Sequence, residues 1–171
     1  GASGIATSTD GTFITSSPAA DILVERPSGS VLADGTGTAD VGSVMVASSS
    51  SAQTFTLRNT GGLNLTSLAV TVDGTNAGEF ALNTSGMLTT LTPGQTTTFT
   101  VTFTPLVSGA RTAALHVNSN VVGSKNPYDV NLTGTGLLPT GWSSADIGGP
   151  LPAGGTTYDS TTQQFTISGG G

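Results

Sequence analysis

The sequence predicts an all-β sandwich, on three observations. First, 31 of its 171 residues are Thr, 20 are Ser and 25 are Gly. Thr and Val suit a pleated, half-buried surface, and Gly, Asn and Ser suit turns. Second, several runs alternate strictly between apolar and polar residues, the period of a strand with one buried and one wet face. Third, turn signals separate these runs at the short intervals typical of sandwiches and barrels. No segment carries a convincing 3.6-residue apolar stripe, and Gly, Thr and Val are poor helix formers. The length suffices for one domain with a real core plus extensions.

Each element can be justified in chain order. Residues 1–20 are rich in Gly, Ser, Thr and Ala and read as an extended arm. One strand-capable segment, Thr12-Phe13-Ile14-Thr15, lies within it before Pro18 interrupts. Ile22-Leu23-Val24 is a short strand closed by Pro27-Ser28-Gly29, and Asp34-Gly35-Thr36-Gly37 is a turn cluster. Asp40–Val44 reads as a short edge segment. In Gln53–Asn59, Phe55 and Leu57 share one face and hydroxyls or Arg58 the other, before the turn Asn59-Thr60-Gly61-Gly62. Leu68–Val72 alternates again and ends at Asp73-Gly74, and Phe80-Ala81-Leu82 is short. Pro93-Gly94 makes a turn, because Pro presets φ and Gly accepts positive φ. Thr98–Phe103 is the cleanest strand, with Phe99, Val101 and Phe103 inward and threonines outward. Ala113–Val117 and Tyr128–Thr133 complete the set.

Charge restricts the function classes. Only 8% of residues are charged, the net charge is -6 and the pI is about 4.2. The four cationic residues, Arg26, Arg58, Arg111 and Lys125, are too few to neutralise a phosphate backbone or an anionic membrane. No nucleic-acid partner and no membrane insertion are expected, since no run of apolar residues is long enough to span a bilayer. The absence of Cys removes disulfides, thiolate chemistry and zinc–sulfur sites. No signal peptide is visible, and a start at Gly1 rather than Met leads us to expect a processed or excised piece. Hydroxyl-rich strands also lack the Lys or inward charges that usually guard sheet edges. Edges covered by another chain, or by the chain's own arms, are therefore expected.

An ordered series of local signatures gives the chain a family resemblance. It runs from Val41-Gly42 through Phe55-Thr56-Leu57-Arg58-Asn59-Thr60-Gly61 to Asp73-Gly74-Thr75-Asn76-Ala77-Gly78-Glu79-Phe80. Leu91-Thr92-Pro93-Gly94, Phe99–Pro105, Gly109–Leu115, Asn118-Ser119-Asn120 and Leu132-Thr133-Gly134-Thr135-Gly136 continue it. As a set, residues 21–136 resemble the bacterial choice-of-anchor D type of domain, within the wider ASH-like and major-sperm-protein-like immunoglobulin group. The resemblance implies an immunoglobulin-like sandwich of about seven strands, found repeatedly in large exported bacterial proteins. It carries no catalytic residues onto this chain. Residues 137–171 form a C-terminal extension. There, Gly141–Gly148, Tyr158-Asp159 and Phe165–Gly169 resemble the opening strands of a second surface-protein sandwich.

Candidate chemistry is sparse. His116, the one histidine, falls on the outward side of its strand, without the partners a metal site or triad needs. Asp34–Asp40 faintly resembles a calcium loop but lacks the dense acidic pattern, so a turn is the better reading. No pair of acids stands out for glycoside hydrolysis. Leu138-Pro139-Thr140-Gly141 lacks the residue that a sortase signal has between Pro and Thr. Asn64-Leu65-Thr66, Asn83-Thr84-Ser85 and Asn131-Leu132-Thr133 match the N-glycosylation pattern. Such triplets arise by chance in a Thr-rich chain, and composition assigns no glycan. Lys125 with Glu25 or Glu79 supplies the residue types of an isopeptide crosslink and nothing more. Trp142 reads either as a plug for a sandwich end or as an anchor for a neighbouring subunit.

The expected function is therefore non-enzymatic, without a cofactor or metal. It is a structural subunit or repeat of an extracellular bacterial filament or surface layer, self-associating by β-strand addition. The assembly residues would be Phe13 and Ile14 in the N-terminal arm, Trp142, and Phe165 and Ile167 in the C-terminal one. The alternative is a spacer or binding module of a large secreted adhesin, contacting neighbouring domains. With one Trp and two Tyr, a carbohydrate-binding platform ranks low, and so does an intracellular scaffold.

Overall fold

The computed structural model describes residues 18–139, 155–159 and 164–168. The first of these segments folds as two packed sheets. One sheet contains β1 (Ile22–Glu25), β2 (Val31–Leu32), β4 (Gln53–Asn59), β6 (Phe80–Asn83) and β7 (Thr96–Phe103), in the order β2-β1-β4-β7-β6. The other contains β3 (Thr38–Met45), β5 (Ala69–Asp73), β8 (Gly109–Asn118) and β9 (Tyr128–Leu137), in the order β3-β9-β8-β5. A 3₁₀ turn, Ala77–Glu79, joins β5 to β6. A separate hairpin pairs β10 (Gly155–Asp159) with β11 (Gln164–Ser168).

The alternation read from sequence is the alternation that packs. Phe55 and Leu57 of β4 meet Phe99, Val101 and Phe103 of β7 in the core. Phe55 stacks on Phe99 at 5.1 Å and Phe80 on Phe103 at 4.9 Å. From the opposite sheet come Leu115 and Val117 of β8 and Tyr128, Val130 and Leu132 of β9. The residues between them are Thr, His, Asp and Asn on the opposite face of each strand, so each strand contributes its apolar half to one core. Burial raises the Tyr128 hydroxyl above its ordinary value, and that hydroxyl donates to the Leu32 carbonyl.

Two features exceed the expected seven strands. The leading segment is divided between the sheets: β1 pairs antiparallel with β4, whereas β3 crosses over and pairs parallel with β9. The two-residue β2 arises because the chain doubles back on β1 through Val24↔Leu32 and Glu25↔Val31. It was invisible in sequence because two residues cannot display a period.

The sheet edges are blunted without lysine. β2, β6 and β5 have two, four and five residues. The eight-residue β3 is broken by a bulge between Asp40 and Ser43, around Gly42 at φ 94°. Short and bulged edges resist pairing with another chain. This protection lies in strand length and the bulge, which composition does not show.

Gly134 has a packing reason to be glycine. A Cβ there would lie 2.7 Å from the Phe103 ring, which is fully buried against Phe80. Gly134→Ala is expected to destabilise the sandwich by about 1–3 kcal/mol through overpacking. Urea denaturation checks this, and an unchanged midpoint would show that the ring can give way.

Candidate functional site

All four cations are engaged inside the sandwich segment. The Arg58 Nε lies 2.7 Å from Glu25 Oε1, and Gly29 donates its backbone N–H to Glu25 Oε2 at 2.7 Å. The Arg58 guanidinium and that N–H hold the Glu25 carboxyl below the usual range. Arg111 clasps the buried Glu79 at the end of the sandwich, with Nε 2.9 Å from Oε2. Arg26 donates to the Asp40 carbonyl and to Gln53 Oε1, both at 2.7 Å, over the Phe55 ring. Lys125 lies 2.8 Å from Asp21 Oδ1. This corrects the isopeptide candidate, since both glutamates belong to arginines and Lys125 meets Asp21.

His116 is outward-facing, as its strand position required, but it is not simply solvated. Its Nδ1 lies 2.6 Å from Asp129 Oδ1 and its Nε2 3.0 Å from Asp73 Oδ1. The ion pair thus spans β5, β8 and β9, whose backbones align Thr71, His116 and Asp129 across the sheet. Hydrogen bonds to Asp73 and Asp129 raise the His116 pKa above 6.5. Its contribution is complete below that ordinary value and is lost as pH rises through the elevated one. Thermal melts of the wild type and His116→Gln should therefore differ between the carboxylate range and pH 6.5 and converge at higher pH. A gap that widens with rising pH would contradict this assignment.

The Asp34–Asp40 loop spends its carboxylates on the chain itself. Asp34 Oδ1 accepts the Asp129 N–H and Asp40 Oδ1 the Gly42 N–H, each at 2.9 Å. These contacts seat the loop against β9 and shape the β3 bulge. Among the described residues, no group of three His, Cys, Asp or Glu side chains could hold a metal ion. Nor is any helix among them long and apolar enough to cross a membrane.

Of the five assembly residues read from sequence, Phe13, Ile14 and Trp142 lie outside the described residues. Phe165 and Ile167 fall in β11, opposite Tyr158 and Thr156 of β10. Ile167 is 71% exposed.

Sequence reasoning missed the arrangement of the two ends of the sandwich. The chain enters β1 beside Asp21, which Lys125 ties to the start of β9. It leaves from Leu137, at the far end of β9, roughly 30 Å away at the usual rise per residue. The poles of entrance and departure are therefore opposite. Around the departure pole, Val46 N–H bonds to the Leu137 carbonyl at 2.8 Å and Ala47 N–H to the Pro105 carbonyl at 2.9 Å. These bonds gather three exposed apolar residues, Met45, Leu106 and Leu137. The segments of the entrance pole expose Leu63 and Val122. No local pattern signals this, because it depends on which strands are neighbours.

The sheet order and the polar groups turned inward on the fold define an immunoglobulin-like sandwich module. The chain belongs to the HYDIN/CFA65/VesB-like Ig-like domain family, which matches residues 36–135. Among solved structures it is similar to the ASH/PapD-like domain (PapD-like domain 7) of human CEP192. Identity is 13% and the TM-score 0.46, over 80% of this chain and 99% of that one. It is also similar to the VesB protease of Vibrio cholerae, at 15% identity and TM-score 0.44 over 57% of this chain and 30% of that one. The secreted serine protease VesC of Vibrio cholerae matches at 18% identity and TM-score 0.42, over 57% of this chain and 21% of that one. No curated protein matches the chain.

Proposed function

We propose that the chain is a non-catalytic spacer module, joined in series with neighbouring modules of an exported bacterial surface protein of the choice-of-anchor D kind. One observation carries this reading: the sandwich receives the chain at one pole and releases it at the other. A module threaded in this way adds its full length to a row of domains. The exposed Met45, Leu106 and Leu137 give the departure pole an apolar rim against which the next module would pack, as inter-domain contacts do. The charged side chains described above already serve internal bonds, which fits a spacer better than a binding or catalytic surface. Hydroxyl-rich outer faces fit an extracellular or cell-surface setting.

A second reading has one observation in its favour. A two-stranded hairpin such as β10–β11 is at best marginally stable alone, and it exposes Ile167. In a filament, strand addition would place such a hairpin against the sheet of a neighbouring subunit. Negative-stain microscopy of the full chain, with and without residues 1–20, separates the two readings. The spacer reading expects discrete particles in both samples. Filaments that vanish on deletion would replace it with assembly by strand exchange.

A further inference from the structure

We infer that the parallel ladder between β3 and β9 is a mechanical clamp that lets the module bear tension along its own chain. The inference rests on the spacer reading for its biological setting and on strand topology for its mechanism. β3 and β9 run in the same direction, from the entrance pole towards the departure pole. Six residue pairs align them: Thr38↔Asn131, Ala39↔Leu132 and Asp40↔Thr133 before the bulge, then Ser43↔Thr135, Val44↔Gly136 and Met45↔Leu137.

Tension on the two ends of the chain reaches these strands in opposite senses. The upstream end pulls β3 back through Thr38, and the downstream end pulls β9 forward through Leu137. Both forces lie along the strand axes, across the direction of the interstrand hydrogen bonds. Neither end can peel the ladder open one pair at a time. The strands must slide, and sliding loads the bonds of each patch together. Forced unfolding is governed by the barrier to leaving the native state, and this geometry places several bonds in that one barrier.

Other contacts reinforce the same element. Upstream of β3, β1 is held against β4 by four pairs in an equivalent sliding geometry. Lys125–Asp21 and Arg58–Glu25 pin it at either end. The weakest point of the ladder is the bulge, and Arg26 bridges it to β4 through the Asp40 carbonyl and Gln53. At the departure pole the Val46 N–H to Leu137 carbonyl bond extends the ladder by one step. The clamp thus joins β9, which the downstream pull reaches first, to β3, which the upstream pull reaches through β1 and β2.

Because the chain has no cysteine, a pair of introduced thiols fixes the direction of pull. Single-molecule force spectroscopy would compare handles at Pro18→Cys and Pro139→Cys with handles at Ser48→Cys and Pro139→Cys. The first pair loads β1 against β4 in sliding and, through β1, β3 against β9. The second sits at one pole and peels the same ladder from its Met45↔Leu137 end. Unfolding forces several-fold higher in the first geometry are expected, and equal forces would overturn the clamp. In the first geometry, Val46→Pro, which deletes a ladder-end donor, should lower the force more than Thr71→Gly on the opposite edge strand at matched equilibrium stability. Equal losses from the two variants would show that the force reports overall stability and would also overturn it. Filaments in the microscopy experiment would remove the spacer reading while leaving the comparison of pulling directions to decide the clamp.

Discussion

Asn59→Ala is expected to be among the most damaging single substitutions in this sandwich. The Asn59 side chain is completely buried at the end of β4 and ties the turn that follows it to the segment at Leu91. Its Nδ2 donates to the Leu63 carbonyl at 2.8 Å and to the Leu91 carbonyl at 2.9 Å, and its Oδ1 accepts the Gly61 N–H at 2.9 Å. Alanine removes all three bonds; the Leu91 carbonyl keeps the Leu65 N–H at 2.9 Å, whereas the Gly61 N–H and the Leu63 carbonyl lose the Asn59 amide. Each stranded backbone group costs about 1–3 kcal/mol when water cannot replace its partner. Allowing for partial hydration at the loop, we expect a total loss of about 3–4 kcal/mol, or roughly a 10 °C fall in Tm. Urea denaturation followed through Tyr128 and the sheet signal in the far ultraviolet measures it. A loss under about 1 kcal/mol would mean that solvent reaches these carbonyls after all.

Arg111→Met is expected to cost about as much, by a different route. Glu79 is buried at the end of the sandwich, held by the 3₁₀ turn that joins the two sheets. The Arg111 guanidinium engages both of its carboxylate oxygens. Removing the arginine leaves a carboxylate in a dry site with no counter-charge, which typically costs about 3–5 kcal/mol. Removing both charges removes that penalty. The double variant Glu79→Leu with Arg111→Met should therefore recover most of the stability lost by the single change. A double-mutant cycle tests this directly. Additive losses, with no recovery in the double variant, would show that the pair is solvated and that the effect is one of packing alone.

These two positions differ in how far the sequence disclosed them. Asn59 lies in the run Phe55-Thr56-Leu57-Arg58-Asn59-Thr60-Gly61, so its turn is legible in the sequence. A Cβ on Gly61 would collide with the Ala19 carbonyl and the Asp21 N–H, which gives that glycine a reason beyond turn formation. The reach of Asn59 to Leu91, 32 residues away, had no local sign. Arg111 and Glu79 are likewise 32 residues apart. Glu79 looked like one more loop acid, and its burial follows only from β6 and β8 meeting at the same end. His116 was correctly placed on an outer face by alternation, yet its two aspartate partners come from the neighbouring strands β5 and β9. Of the assembly candidates, Ile167 is the one whose side chain the structure describes, and it is exposed.

What the sequence determined by itself is the set of local choices: β rather than helix, the inward face of each long strand, and most turns. Those choices depend on residues one or two places apart, where the alternation of Phe99, Val101 and Phe103 with threonine is sufficient information. Tertiary structure decided which strands became neighbours, the crossing of β3 to pair parallel with β9, and the two-residue β2. It also decided the ion pairs and the opposite placement of entrance and departure. The physical reason is that a strand's unpaired N–H and C=O groups accept many partners with nearly equal energy. Only the simultaneous filling of one close-packed core selects a single arrangement among them. The mechanical reading of this module belongs to that second category, because it depends on the direction of one strand relative to another.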